Sequence, residues 1–140
     1  MQPKCHNFSP EGVKSCFENT AYLKVFEHYC MQGYSIRYSS AMAVDCYQMF
    51  IKGHGAYSML DSIAHPSRLH LIYEILPMAL LIEKAGGKTS DTEKSVLDVK
   101  IVGYDQRINF VAGSSNDVDY IVKTLKQASW LLNIHNILFH

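Results

Sequence analysis

Apolar residues recur at helical spacing most clearly after Asn19, where Tyr22, Val25, Phe26, Tyr29 and Cys30 follow at steps of three and four until Gly33. Asn19 is a good N-cap, since its side chain can accept from an unpaired amide of the first turn. A second helix is expected over 41–52, with Ala41, Val44, Met49 and Phe50 on its apolar side and Gly53 and Gly55 ending it. A third is expected from Pro77, whose missing amide proton is harmless in a first turn. Leu80, Leu81 and Ala85 form its apolar side, Glu83 and Lys84 fall opposite, and Gly86-Gly87 stop it. The last begins at Asn116-Asp117 and carries Val118, Ile121, Val122 and Leu125 on one face.

Extended segments are expected at 12–18, where Val13, Ser15 and Phe17 alternate with Lys14, Cys16 and Glu18, and at 34–38, 55–60, 88–91, 96–102 and 108–112. Residues 1–10 and 61–66 read as loops and 92–95 as a turn. Strands alternating with helices at short intervals predict the α/β class, a layered helix–mixed β-sheet–helix domain. Residues 1–126 read as one domain. The apolar tail 127–140, with Trp130, Leu131, Leu132, Ile134, Ile137, Leu138 and Phe139, either extends the last helix or forms a separate apolar segment.

Composition narrows the class. Hydrophobic residues make up 48% and charged residues 19%, which argues against disorder. Thirteen basic residues balance thirteen acidic ones, so no bulk field favours nucleic acid or an anionic membrane. The chain has neither an apolar run long enough to span a membrane nor a signal-peptide core near Met1. Cys5, Cys16, Cys30 and Cys46 show no paired or zinc-like spacing and are expected as reduced thiols of a soluble intracellular protein, Cys30 and Cys46 on apolar helix faces. Plastid and cytoplasm both remain open.

Candidate chemistry centres on residues 69–91. Glu74 is an acid in a strongly apolar context, with Leu69, Leu71, Ile72 and Tyr73 before it and Ile75, Leu76 and Met78 after it. A buried carboxylate needs a cation, a donor or an exit to water. Its position just before, or in the first turn of, a helix suits a negative charge. Taken alone, Glu74 is either a metal ligand or the buried partner of a basic residue. Arg37-Tyr38 follow an extended segment, and Arg68 lies six residues before Glu74. An arginine fork suits a phosphate and a tyrosine hydroxyl adds a neutral donor, though both residue types also serve as surface ion pairs and half-buried aromatics. Asn19 and Tyr22, by pattern, are a helix cap and a core residue. Seven histidines show no metal-site spacing, and no phosphate loop or nucleophile elbow occurs.

Several motifs then fall in one order: R-Y-S-S-A-M-A-V-D from Arg37, L-H-L-I-Y-E-I-L-P-M-A from Leu69, I-E-K-A-G-G-K-T-S-D from Ile82, S-V-L-D-V from Ser95 and D-Q-R from Asp105. This series resembles the C-terminal half of the fructose-1,6-bisphosphatase and sedoheptulose-1,7-bisphosphatase family. F-S-P-E-G from Phe8, G-Y-S-I-R-Y from Gly33 and K-S-V-L-D-V-K-I-V from Lys94 resemble the sedoheptulose branch more closely.

The resemblance implies a magnesium-dependent phosphatase acting on a sugar bisphosphate, with paired metals activating water and stabilising the leaving oxygen. It implies Glu74 as a metal ligand, Asn19, Tyr22, Tyr38 and Arg68 as sugar-phosphate contacts, and Arg37 as a reach into the neighbouring subunit's site, hence a homodimer. His70 stands where the fructose enzymes have an arginine beside the sugar phosphate, which would make phosphate affinity weaker or pH-dependent. Met59 stands where they have a tyrosine. The family's D-P-x-D-G-S metal loop does not occur in these residues. A single Glu74 cannot hold two magnesium ions, so the polypeptide is expected to be a partial chain, catalytically inactive alone. The alternative is a non-catalytic sugar-phosphate-binding or interaction domain.

Overall fold

The computed structural model describes residues 1–139, with side chains over 1–128 and 137–138. Five short strands, β1 (Asn7–Glu11), β2 (Ser35–Ile36), β3 (Ala56–Met59), β4 (Lys88–Ser90) and β5 (Phe110–Gly113), pair in the order β2-β1-β3-β5-β4. β2, β1 and β3 run parallel, while β5 is antiparallel to both β3 and β4. Four helices flank the sheet: α1 (Thr20–Met31), α2 (Met42–Lys52), α3 (Leu76–Lys84) and α4 (Ser115–Phe139). This is the α/β fold with a mixed sheet that the pattern predicts.

The strand period of two explains the layers. Tyr57 and Met59 of β3 and Phe110 and Ala112 of β5 face a core completed by Met42, Cys46 and Met49 of α2 and Ala79 and Ile82 of α3. Ala56 and Val111 face the opposite core, with Phe8 of β1, Tyr22, Val25 and Tyr29 of α1, and Val118 and Ile121 of α4. Asn19 caps α1, its Oδ1 accepting from the Tyr22 amide at 3.1 Å. Gly86, at φ 89, ends the turn after α3, and the Gly87 amide returns to the Ile82 carbonyl at 2.9 Å.

Some local expectations are corrected. Residues 12–18 are not a strand: Val13–Phe17 is a 3₁₀ helix, and the strand lies earlier, over Asn7–Glu11. Pro10 is tolerated there because β2 pairs only with Asn7 and Phe8, so one side of the strand at Pro10 needs no amide donor from it. Residues 96–102 are not extended throughout; Val96–Asp98 forms a 3₁₀ turn, and Ile101 and Val102 stand exposed. On α3 the buried side is Ala79 and Ile82, while Leu80 and Leu81 are about half exposed. On α2 Val44 is exposed and the face turns instead on Met42, Cys46 and Met49. Cys30 is exposed, whereas Cys5, Cys16 and Cys46 are buried, and all four are free thiols. The α4 backbone runs to Phe139; the side chains of Trp130, Leu131, Leu132, Ile134 and Phe139, and all of His140, lie outside the described residues.

Candidate functional site

In sheets of this kind ligands collect beyond the carboxyl ends of the parallel strands. Here those ends carry Glu11 after β1, Arg37 and Tyr38 after β2, and Leu60 after β3. Gly12 turns the chain in the left-handed region at φ 65, so β1 stops and Glu11 is left at the rim. The phenol of Tyr57, fully buried in the sheet, donates to Glu11 Oε2. Burial, and then the Glu11 charge, push the Tyr57 hydroxyl well above the usual tyrosine range, so it stays protonated and keeps donating. Tyr22 holds the same residue from the other side, its hydroxyl donating to the Glu11 carbonyl at 2.6 Å.

Two adjoining hollows open at this rim. One, of about 340 Å³, is lined by Tyr38, Arg68, Lys14 and His65. The other, of about 500 Å³, is lined by Tyr73, Glu74, Pro77 and Met78. Glu11 and Ser40 line both, so the two hollows adjoin across these residues. One end is rich in cationic and hydroxyl donors, and the other presents a carboxylate.

Glu74 sits in a single π-helical turn, Leu71–Ile75, that leads into α3. That widened turn lets the Ile75 amide reach back to the His70 carbonyl at 3.0 Å and leaves Glu74 beside the start of the turn. The His70 amide donates to Glu74 Oε2 at 2.6 Å, and His70 Nδ1 lies 3.2 Å from the same oxygen. Glu74 is therefore not deeply buried: its side chain is 38% exposed, and its charge is met by an amide, an imidazole and solvent. Tyr73 stacks on His70 at 4.6 Å between centroids. Desolvation, and then the Glu74 charge, raise the Tyr73 hydroxyl above its ordinary value.

The structure thus brings Tyr38, Arg68 and Glu74 to two adjoining hollows, with His70 bound to Glu74. It does not bring Asn19, Tyr22 or Arg37 there as lining groups. Asn19 lines a separate hollow with Asp61 and Ile63. Tyr22 is fully buried beneath Glu11. Arg37 is exposed on the β2 side, its amide extending the β1 pairing by donating to the Phe8 carbonyl at 3.0 Å. Glu11, Lys14 and His65 escaped the sequence reading. The strand that carries Glu11 ends at that residue, whereas the alternation in the sequence points to 12–18, so no expected strand end falls on it.

For a magnesium ion the donor set is incomplete but chemically suitable. Mg²⁺ takes oxygen ligands and commonly one or two carboxylates, with waters and substrate phosphate making up the rest. Glu74 and Glu11 are carboxylates on the same groove. Among the described residues no group of three or more His, Cys, Asp or Glu side chains could hold a metal.

The α/β crevice therefore presents donors at one end and a carboxylate at the other. The family model for the fructose-1-6-bisphosphatase C-terminal domain matches residues 1–126, and the chain belongs to that family. It is 34% identical over 124 residues to the chloroplastic sedoheptulose-1,7-bisphosphatase of Spinacia oleracea, covering 89% of this chain and 32% of that protein. It is 35% identical over 120 residues to a class 1 fructose-1,6-bisphosphatase of Synechococcus elongatus, covering 85% of this chain and 32% of that one. A Toxoplasma gondii crystal structure, assigned as a sedoheptulose-1,7 bisphosphatase, superposes with a TM-score of 0.89 at 32% identity over 91% of this chain and 39% of that one. The chain spans about a third of the length of the curated relatives it matches.

Proposed function

We propose that these residues form one wall of a sugar-bisphosphatase site, the wall that binds substrate phosphate and supplies one metal carboxylate. The overall reaction is hydrolysis of the 1-phosphate of sedoheptulose-1,7-bisphosphate or fructose-1,6-bisphosphate. A water oxygen bonds to phosphorus, the bond from phosphorus to the sugar oxygen breaks, and the products are inorganic phosphate and the sugar monophosphate. The observation that carries the reading is the pair of adjoining hollows, with Arg68 and Tyr38 lining one, Glu74 the other, and Glu11 and Ser40 both.

Arg68 offers a planar fork to the phosphate remote from the reacting centre, and the Tyr38 hydroxyl adds a neutral donor. Lys14, in the same hollow, raises the local positive potential. Glu74 is the proposed Mg²⁺ ligand, and His70 orients its carboxylate through the bond to Oε2. When bound, the metal would neutralise phosphoryl charge and lower the pKa of water. Tyr22 acts from below by fixing the Glu11 main chain, and Asn19 acts by capping α1. Arg37, exposed beside the sheet edge, is the proposed reach toward the site of a second copy in a homodimer.

On this reading the 140 residues bind sugar bisphosphate without hydrolysing it, because Glu74 and Glu11 alone cannot hold paired metals and activate water. Incubating the purified chain with Mg²⁺ and each bisphosphate, and following phosphate release, tests this. Release at background rate is expected; sustained turnover abolished by Glu74→Gln would overturn the claim that a second wall is required.

A further inference from the structure

A second cavity, sharing no lining residue with the Glu74 groove, lies where the edge strand β4 meets α4. Its volume of about 700 Å³ falls within the roughly 300–1,000 Å³ of small-molecule sites. Four lysines line it, Lys88, Lys94, Lys123 and Lys126, against two acids, Glu83 and Asp119.

The acids are already engaged. Lys88 Nζ grips both oxygens of Asp119, at 2.9 and 3.1 Å. Glu83 Oε1 accepts from the hydroxyls of Thr89 and Ser95, each at 2.6 Å. Lys94, Lys123 and Lys126 make no ion pair among the described residues. Lys123 and Lys126 lie one helical turn apart on α4, where like charges repel. Lys94 projects from the turn after β4 into the same cavity. Among the described residues these three cations surround one concavity without an acidic partner, and a multivalent anion would relieve their repulsion.

We infer that the β4–α4 cavity binds a small anion of the diphosphate class, held by Lys94, Lys123 and Lys126. Lysine is a compact point charge without arginine's fork, so the site selects charge density rather than planar shape. Two linked phosphoryl groups can engage the Lys123–Lys126 pair and Lys94 together, which a single phosphoryl group does less well. This site is independent of the proposed bisphosphatase reading.

The test is calorimetric titration of the full chain with pyrophosphate, at low and at physiological salt. Binding is expected, weakened by salt as exposed charge contacts are. Combined Lys94→Gln and Lys123→Gln should weaken it about tenfold, the scale of two exposed charge contacts. Orthophosphate should bind more weakly than pyrophosphate. A Lys4→Gln/Lys24→Gln variant controls for net charge, and circular dichroism checks that each variant folds. Absence of binding, equal loss in the control variant, or no loss on Lys94→Gln/Lys123→Gln would overturn the inference.

Discussion

The His70 amide and imidazole converge on one oxygen of Glu74, at 2.6 and 3.2 Å, so the carboxylate is tied to the turn that carries it. A glutamate four residues from its partner would ordinarily be a free helix-surface side chain. The π turn over Leu71–Ile75 instead folds it back on its own entry point, facing the groove.

Glu74→Gln keeps a carbonyl oxygen for the His70 amide but removes the charge. Because the side chain is partly exposed, the stability loss should be about 1 kcal/mol or less, a fall in Tm of roughly 2–5 °C for a chain of this size. Thermal melts followed by circular dichroism measure it. Glu74→Ala, which leaves the amide without its acceptor, should cost more than Glu74→Gln.

The Tyr57 hydroxyl and Glu11 should be energetically coupled. Removing the hydroxyl alone, in Tyr57→Phe, leaves a half-buried carboxylate without its donor. A double-mutant cycle with Glu11→Ala, by urea unfolding, should give a coupling of about 1.5–3 kcal/mol, the range for a hydrogen bond to a charged group. Additivity within error would show that the bond contributes nothing.

Gly113 should tolerate no side chain. Its φ of 132 lies outside the range of L-residues, and a Cβ there would collide with the Gly55 carbonyl oxygen. Gly113→Ala should therefore separate β5 from β3 and cost more than about 3 kcal/mol, an exceptional value for one methyl group. Loss of a cooperative unfolding transition is the expected readout.

Alkaline pH should destabilise the fold in a defined window. Burial pushes the Cys5 and Cys46 thiols above their ordinary 9.0. It pushes the Tyr22, Tyr29 and Tyr57 hydroxyls above their ordinary 10.0. Above those ordinary values the unfolded chain releases protons that the folded chain retains, so the folded state binds more protons and stability falls as pH rises. Urea midpoints should be level with respect to these groups between pH 7 and 8 and decline from about pH 9 upward. In the same proteins Cys30, the exposed thiol, should be labelled by a thiol reagent in the native state, with Cys5, Cys16 and Cys46 following only on unfolding.

The helices were legible because their signals are local. Asn19 caps α1, Gly53 closes α2 at φ 75, and Pro77 and Gly86 bracket α3. β1 was not legible, because Asn7 and Pro10 read as loop punctuation and only the short reach of β2 makes Pro10 acceptable in a strand. The exposed Leu80 and Leu81 show a similar limit: apolar spacing on α3 fits two faces, and packing against Phe110 and Val96 chooses Ala79 and Ile82. At the site, the physical reading alone left Glu74 open between two roles, and the ordered motifs favoured one. Glu11 was missed because its role depends on Tyr57, 46 residues away, which no local pattern announces.

In the proposed sugar-bisphosphate wall, Arg68 grips a phosphate. Calorimetric titration of the chain with sedoheptulose-1,7-bisphosphate, compared with Arg68→Gln, tests it most directly. Binding by the parent chain and a loss of at least about tenfold in the variant are expected, consistent with removing a charge-assisted contact. Equal affinity in both proteins, or no binding by a parent chain that melts cooperatively, would contradict it.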